Sequence, residues 1–161
     1  MKRKAWMWLL FGITALAFFL RVYKVGSIPP SLSWDEVSIG YNAYSILKTG
    51  RDEHGKFLPL DTFTAFGDYK PPVPIYLTVL PVALFGLNEF SVRLPSVIAG
   101  ALTVLVTFFL VSELLRDQKY ATGISLLTSL LLALSPWHIG LSRAGFEANI
   151  ALLFIVLGLW F

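Results

Sequence analysis

The sequence contains no cysteine and little charge, and each absence limits what the protein can be. Without cysteine there are no disulfide bonds, no thiol chemistry and no cysteine-ligated metal site. Charged residues make up 14% of the chain and hydrophobic residues 56%, whereas about a quarter of the residues in a soluble domain are charged. The net charge is +3 and the basic residues are scattered, so nucleic acid is not indicated as a partner. The composition predicts an integral membrane protein.

Long uncharged runs divide the chain into predicted membrane spans. A helix needs about 20 apolar residues to cross roughly 30 Å of hydrocarbon. The runs predict spans at about 5–23, 94–113, 119–135 and 147–161. We therefore expect an all-α, polytopic transmembrane protein. The last run stops without a polar flank, so we also expect the chain to be the N-terminal part of a longer protein and to be inactive alone.

The segment 24–92 is predicted to be an outer loop with interfacial helices at about 34–49 and 73–87. Ser33 and Glu36 have the spacing of a capping box, and Gly50 is a stop signal. Four prolines interrupt the later apolar run, which favours a half-inserted hairpin of 75–80 and 82–87 over a span. Segment 57–66 is expected to be irregular or extended. The prolines are Pro71, Pro72, Pro74 and Pro81.

This hairpin fixes the expected topology. The basic residues Lys2, Arg3 and Lys4 favour a cytoplasmic N-terminus under the positive-inside rule. The first loop and the later SPWHIGLSRAGFEAN loop then lie on the same outer face of the membrane. If the proline-containing run crossed instead, the polar residues of the two loops would lie on opposite faces.

The acidic pair Asp35-Glu36 opens the first predicted interfacial helix. Acidic residues in a first turn stabilise a helix through its dipole, so capping and catalysis are equally supported by these residues alone. Glu36 is already used if it folds back onto the Ser33 amide. Asp35 is not needed for that box and is the better candidate for a general base.

Lys70, which follows Tyr69 and precedes two prolines, is the second candidate. It is either an interfacial anchor beside an aromatic residue or a cation on a stiff stem that contacts a lipid phosphate. The residues alone slightly favour the anchor.

Arg143, Glu147 and His138 are candidates in the later loop. Arg143 and Glu147 have helical spacing and form either a surface pair or, if Gly145 turns the backbone, two side chains facing a cavity. Glu147 also suits the start of the last helix. His138 is either an interface residue or a substrate-binding group. Two distant histidines do not make a zinc site, and no metal ligands are assigned.

Four segments together resemble a known family. WDEVSIGYNAYSILKTGRDEHGKFLPL, YKPPVPIYL, EFSVRLPSVIAG and SPWHIGLSRAGFEAN follow the order seen in bacterial membrane glycosyltransferases of the GT-C superfamily. These are relatives of the protein O-mannosyltransferases and the lipid A aminoarabinose transferases. The resemblance covers nearly the whole chain as the N-terminal third of such an enzyme.

The resemblance implies a hexosyl or pentosyl transferase of the cytoplasmic membrane. Its donor would be a polyprenyl-phosphate-linked sugar and its acceptor a lipid, glycan or protein hydroxyl on the outer face. Asp35 would be the base or would orient the acceptor, with Glu36 as the second acid. Lys70 would lie near the donor phosphate, and Arg143 and Glu147 would be the second-loop pair. No cofactor is assigned, and a divalent cation is left open. Many relatives carry Asp at the Glu147 position, and this difference weakens the case for a metal role of Glu147.

Two other functions fit the same residues. A transporter or lipid-binding membrane protein would carry charges inside its spans, and the three complete runs have uncharged interiors. The chain is alternatively a non-catalytic membrane fragment whose helices lack their partners.

Overall fold

The computed structural model describes residues 3–161, which leaves Lys2 of the basic N-terminus outside the described residues. The elements in chain order are α1 (Arg3–Val22), α2 (Trp34–Thr49), β1 (Phe63–Ala65), β2 (Asp68–Lys70), α3 (Pro72–Phe85), α4 (Glu89–Leu114), α5 (Ala121–Leu134), α6 (Pro136–Arg143) and α7 (Glu147–Trp160). The all-α prediction is confirmed, with one short hairpin added to it.

The helices of membrane-spanning length are α1 and α4. Within residues 3–161 these two are long and apolar enough to cross a membrane, and α5 with α6, bent by 56°, forms a third crossing if the pair is one span. The helix α4 begins at Glu89 rather than near 94, because the side chain of Asn88 accepts the Ser91 N–H and caps it. The apolar helices α3 and α7 are shorter.

The helix α4 lies at the centre of the bundle. One side of it packs against α1 and α5, where Ala17, Val104 and Ala133 are buried together. Its other side packs against α7 through Ala99, Val106 and the buried residues of that helix. Small side chains at these contacts allow close approach between the helices. The first loop therefore lies at the N-terminal end of α4, and the short turn to α5 lies at its other end.

The helix α2 begins and ends as the sequence predicts. Ser33 and Glu36 form both bonds of the capping box, and Gly50 ends the helix in the left-handed conformation at φ 68°. The buried face of α2, which includes Ile39 and Ala43, packs against Ile75 of α3. This cap fixes the first turn of α2 and therefore the backbone positions of Asp35 and Glu36.

The predicted hairpin at 75–80 and 82–87 is wrong, because α3 is one continuous helix. Its first prolines occupy the N-cap position and the first turn, where backbone N–H groups have no partner within a helix. They remove no hydrogen bond there. Only Pro81 lies in the helix interior, so one lost bond is tolerated within an otherwise regular helix.

Residues 63–70 form a β-hairpin that the sequence reading did not predict. Its two-residue turn, Phe66-Gly67, has positive φ at both positions, 52° and 79°. Phe63 pairs with Lys70 in the antiparallel register, and both side chains are buried. The hairpin holds Lys70 at the start of α3, directly beside the N-terminus of α2.

Candidate active site

The Asp35 carboxylate and the Lys70 ammonium form the centre of the candidate site. Lys70 Nζ lies 2.6 Å from Asp35 Oδ1. The Lys70 side chain is only 7% exposed, whereas that of Asp35 is 39% exposed. The first turn of α2 and the end of the β-hairpin therefore bring two separately predicted residues together, with Asp35 on the solvent side.

Two further carboxylates complete this cluster. Asp68 Oδ2 lies 3.0 Å from Lys70 Nζ, and Glu147 Oε1 lies 3.5 Å from it. Glu147 is the first residue of α7, so the early and late loops meet here, as expected if both lie on one face. Within residues 3–161, no three acidic or histidine side chains are arranged to hold a metal ion. The lysine occupies the middle of the acidic group.

The carboxylates keep Lys70 charged. Its hydrogen bond to Asp35 raises the pKa of Lys70 above the ordinary value, and burial acts in the opposite direction. The hydrogen bond to Asp68 and the charge of Glu147 also raise it. The ammonium is therefore protonated throughout the physiological range and is a permanent positive charge in a partly buried site.

Glu36 lies apart from this cluster although it adjoins Asp35 in sequence. Its Oε1 accepts from Arg93 Nε at 2.6 Å, and its Oε2 accepts the Ser33 N–H at 2.8 Å. Arg93 also donates to the carbonyl oxygens of Val25, Pro29 and Ser31. Both members of the pair are buried. This pair joins α4, α2 and the preceding loop, and Glu36 has no contact with Lys70 among the described bonds.

The turn between α6 and α7 separates Arg143 from Glu147. Gly145 has φ 63°, so the two residues are not a pair on one helix. A Cβ at Gly145 would lie 3.2 Å from Glu36 Oε1 and 3.6 Å from Arg93 Cγ, so this glycine packs on the buried ion pair. Arg143 donates to the carbonyls of Leu20 and Ile28 at 3.0 Å. It attaches the turn to the end of α1.

His138 belongs to a second buried polar group. Arg21 Nη2 lies 2.6 Å from His138 Nδ1, and Arg21 Nη1 donates to the Ala133 carbonyl at 3.2 Å. Ser142 accepts from Arg21 Nε and contacts Asn149, which donates to Ser96. This network links α1, α4, α5, α6 and α7. It places His138 inside the bundle rather than beside Asp35.

Tyr69 and an apolar groove flank the cluster. The Tyr69 side chain is largely exposed, and its N–H donates to Asp68 Oδ1 at 2.7 Å. A groove of about 370 Å³ runs between α3 and α7 and starts beside Glu147. A neighbouring cavity of about 320 Å³ shares Ile150 and Phe154 with it and extends to α4. The charged cluster thus lies at one end of an apolar path.

The sequence model of the dolichyl-phosphate-mannose-protein mannosyltransferase family matches residues 11–161. The chain belongs to this family. The undecaprenyl phosphate-alpha-4-amino-4-deoxy-L-arabinose arabinosyl transferases of Pseudomonas paraeruginosa and Pseudomonas aeruginosa are each 40% identical to it over 58 residues. That stretch is 36% of this chain and only 11% of each relative. No solved structure matches the chain.

The structure sorts the candidate residues of this mannosyltransferase-family chain into two groups. Asp35, Lys70 and Glu147 meet, and Tyr69 adjoins them. The others have different contacts: Glu36 binds Arg93, Arg143 binds backbone carbonyls and His138 binds Arg21.

The sequence reading missed the roles of three residues. Asp68 lies two residues before Lys70 on a strand, a spacing that puts both side chains on one face. The sequence pattern indicates the buried contacts of Arg21 and Arg93 only weakly. Each lies at the edge of a long apolar run, where an arginine is ordinarily an interfacial anchor.

Proposed function

We propose that this chain is part of a membrane glycosyltransferase that moves a sugar from a polyprenyl-phosphate carrier to a hydroxyl group. The acceptor belongs to a lipid, glycan or protein, and the transfer takes place at the outer face of the cytoplasmic membrane. Family membership supports the reaction class. The observation that carries the proposal is the Asp35–Lys70 contact of 2.6 Å, joined by Glu147 at the mouth of an apolar groove.

Asp35 is the general base in this proposal. It is the most accessible member of the pair with Lys70 and lies at the solvent side of the cluster. A carboxylate there accepts the proton of the acceptor hydroxyl as the oxygen attacks the anomeric carbon. This attack inverts the configuration at that carbon, since a single displacement leads directly from donor to product.

Lys70 stabilises the leaving group. Negative charge grows on the phosphate as the sugar–phosphate bond breaks, and a fixed cation in a partly dehydrated site stabilises that charge. The α3–α7 groove receives the first part of the lipid tail, because its walls are apolar and it starts at Glu147. Tyr69 and the remaining N–H groups of Arg143 are the further contacts we assign to the donor head group.

Glu36 and His138 support the site from within. Glu36 holds the start of α2 through Ser33 and Arg93, and so fixes the position of Asp35. His138 holds α6 through Arg21. Glu147, at the start of α7, contacts Lys70, and we assign to it the orientation of a donor head group bound beside that lysine.

Transfer measured in membranes tests the proposed reaction. The full-length protein that carries this chain is incubated with a radiolabelled undecaprenyl-phosphate sugar, and wild type is compared with Asp35→Asn and Lys70→Met. We expect each substitution to lower transfer by about 10²- to 10⁴-fold, since a positioned base or charge contributes that much. Asp61→Asn is the matched control. Its exposed pair with Lys56 is also 2.6 Å long and lies in the same loop. Transfer by Asp35→Asn at the wild-type rate would remove Asp35 from the mechanism.

Labelling of single cysteines tests the orientation. The chain has no cysteine of its own, so positions 54 and 137 can each be replaced by cysteine in a full-length protein freed of other thiols. Trp137 is highly exposed, and His54 lies in the exposed turn after α2. We expect an impermeant maleimide to reach both from the outer face of intact cells. Labelling of the two positions from opposite faces would contradict the one-face topology.

A further inference from the structure

Carboxylates of the protein surround the Lys70 ammonium. A lysine has three N–H donors, and three acids surround this one: Asp35 at 2.6 Å, Asp68 at 3.0 Å and Glu147 at 3.5 Å. The side chain is also almost completely buried. A phosphate that binds Lys70 therefore competes with the carboxylates at the two short contacts, Asp35 and Asp68.

Asp35 is the partner that can leave. Asp68 lies two residues from Lys70 on the same strand, and its other oxygen accepts the Tyr69 N–H, so it is held in place. Glu147 is a longer contact at the start of α7. The Asp35 carboxylate has no other hydrogen bond among those described, and it faces solvent. Once Lys70 moves to another anion, nothing else holds the Asp35 side chain.

We propose that the ion pair with Lys70 keeps the Asp35 carboxylate from acting as a base until the phosphate of the lipid-linked donor binds the Lys70 ammonium in its place. This inference rests on the proposed function. The exchange of partners at Lys70 makes the base available only when the donor is bound. Asp68 is then a positioning residue, because it keeps Lys70 at the cluster while the other partner changes.

The chemical step follows from this exchange. A donor phosphate oxygen replaces Asp35 Oδ1 at Lys70 Nζ, and the freed carboxylate accepts the proton of the acceptor hydroxyl. The acceptor oxygen forms its bond to the anomeric carbon as the bond from that carbon to the phosphate oxygen breaks. The electron pair of the broken bond stays on the phosphate, where Lys70 balances the added charge. After the lipid phosphate leaves, Lys70 returns to Asp35.

A double-mutant cycle of lipid binding tests the exchange without measuring activity. The full-length protein in nanodiscs is titrated with undecaprenyl phosphate, and with undecaprenol as the same tail lacking phosphate. The variants are Asp35→Asn, Lys70→Met and the combination of both. We expect Asp35→Asn to bind undecaprenyl phosphate about 3- to 10-fold more tightly than wild type, because the phosphate no longer competes for Lys70. In the Lys70→Met background this gain disappears, and undecaprenol binding stays the same in all variants.

The controls separate this proposal from simpler explanations. If the gain in affinity for undecaprenyl phosphate persists in the Lys70→Met background, Asp35 merely repels the phosphate and the proposed exchange is overturned. The absence of any gain in affinity also overturns it. Asp35→Ala repeats the cycle with a side chain that cannot bind Lys70, and we expect the same coupling. Asp61→Asn leaves binding unchanged, since its lysine partner lies outside the cluster. If wild type binds undecaprenol and undecaprenyl phosphate equally, the proposed phosphate role of Lys70 fails, a result distinct from phosphate binding without coupling.

Discussion

Asp35 and Glu36 are neighbours in sequence, yet they serve two different regions of the molecule. Successive residues on a helix point about 100° apart, so the two carboxylates diverge at the start of α2. Glu36 turns inward to Arg93 and is buried, whereas Asp35 turns outward to Lys70 and stays accessible. The inner pair holds α2, α4 and the first loop together, and in the outer pair Asp35 has the exposure that chemistry needs. In the proposed function we therefore assign the reaction to Asp35 and a structural role to Glu36.

The largest expected effect comes from breaking the inner pair. Arg93→Met leaves the Glu36 carboxylate buried without its cation and removes donors from three carbonyl oxygens. We expect the free energy of unfolding to fall by about 3–5 kcal/mol, measured by denaturant titration of the full-length protein in detergent. Arg116→Met is the matched control. The pair of Arg116 with Glu113 is exposed, so this substitution should leave the free energy of unfolding unchanged. Equal effects at both positions would contradict the assigned role of Arg93.

The next effect tests how the second loop packs on the inner pair. Gly145→Ala forces a side chain into a positive-φ position and brings its Cβ to 3.2 Å from Glu36 Oε1. We expect a loss of about 1–2 kcal/mol in the free energy of unfolding, from backbone strain and crowding. Gly123→Ala in α5, where a Cβ meets nothing within 4 Å, provides the control and should be neutral or slightly stabilising. A Gly145→Ala protein with the free energy of unfolding of wild type would show that the turn does not pack on the Glu36–Arg93 pair.

A smaller effect is expected at the cap that both acids share. Ser33→Ala removes the acceptor for the Glu36 N–H while the bond from the Ser33 N–H to Glu36 Oε2 can remain. We expect a loss of about 1 kcal/mol, the usual value for an N-cap hydroxyl. The same denaturant titration measures it. A loss as large as that of Arg93→Met would mean that the cap, and not the buried arginine, holds α2.

The smallest effect concerns the exposed pair of Lys56 and Asp61. The hydrogen bond from Lys56 lowers the pKa of Asp61 from 3.8 to about 2. A lowered folded-state pKa gives stability that is present above the unfolded value and is lost as the pH falls through about 2. The difference in melting temperature between wild type and Asp61→Asn should therefore be small and constant from pH 8 to pH 5. A change within that range would indicate another titrating partner.

Local signals explain what the sequence could predict. Ser33, Glu36 and Gly50 define both ends of α2 because capping depends on neighbouring residues only. The uncharged runs predicted the long helices because such a run is also a property of neighbouring residues only. A helix at about 73–87 was predicted, but the break expected within it was wrong because four prolines were counted together. All but Pro81 occupy the N-cap or first turn, where no bond is lost.

Long-range partners could not be predicted from the sequence. The β-hairpin has Phe66-Gly67 at its turn rather than the usual Asn-Gly, so its signal was weak. Arg93 and Glu36 are 57 residues apart and Arg21 and His138 are 117 apart, and no local pattern links them. The meeting of Lys70 with Glu147 likewise depends on how the bundle packs. The family resemblance implied one site for Asp35 and Lys70, but their direct contact and the presence of Asp68 beside them follow from the structure.

The most direct test compares Asp35→Asn with Glu36→Gln in one transfer assay. Transfer from an undecaprenyl-phosphate sugar is divided by the amount of folded full-length protein for each variant. The account predicts that folded Asp35→Asn loses about 10²- to 10⁴-fold, while folded Glu36→Gln, though less stable, stays within about 10-fold of wild type. A Glu36→Gln protein that is folded but inactive, beside an active Asp35→Asn protein, would contradict the division between an outer reactive pair and an inner structural one.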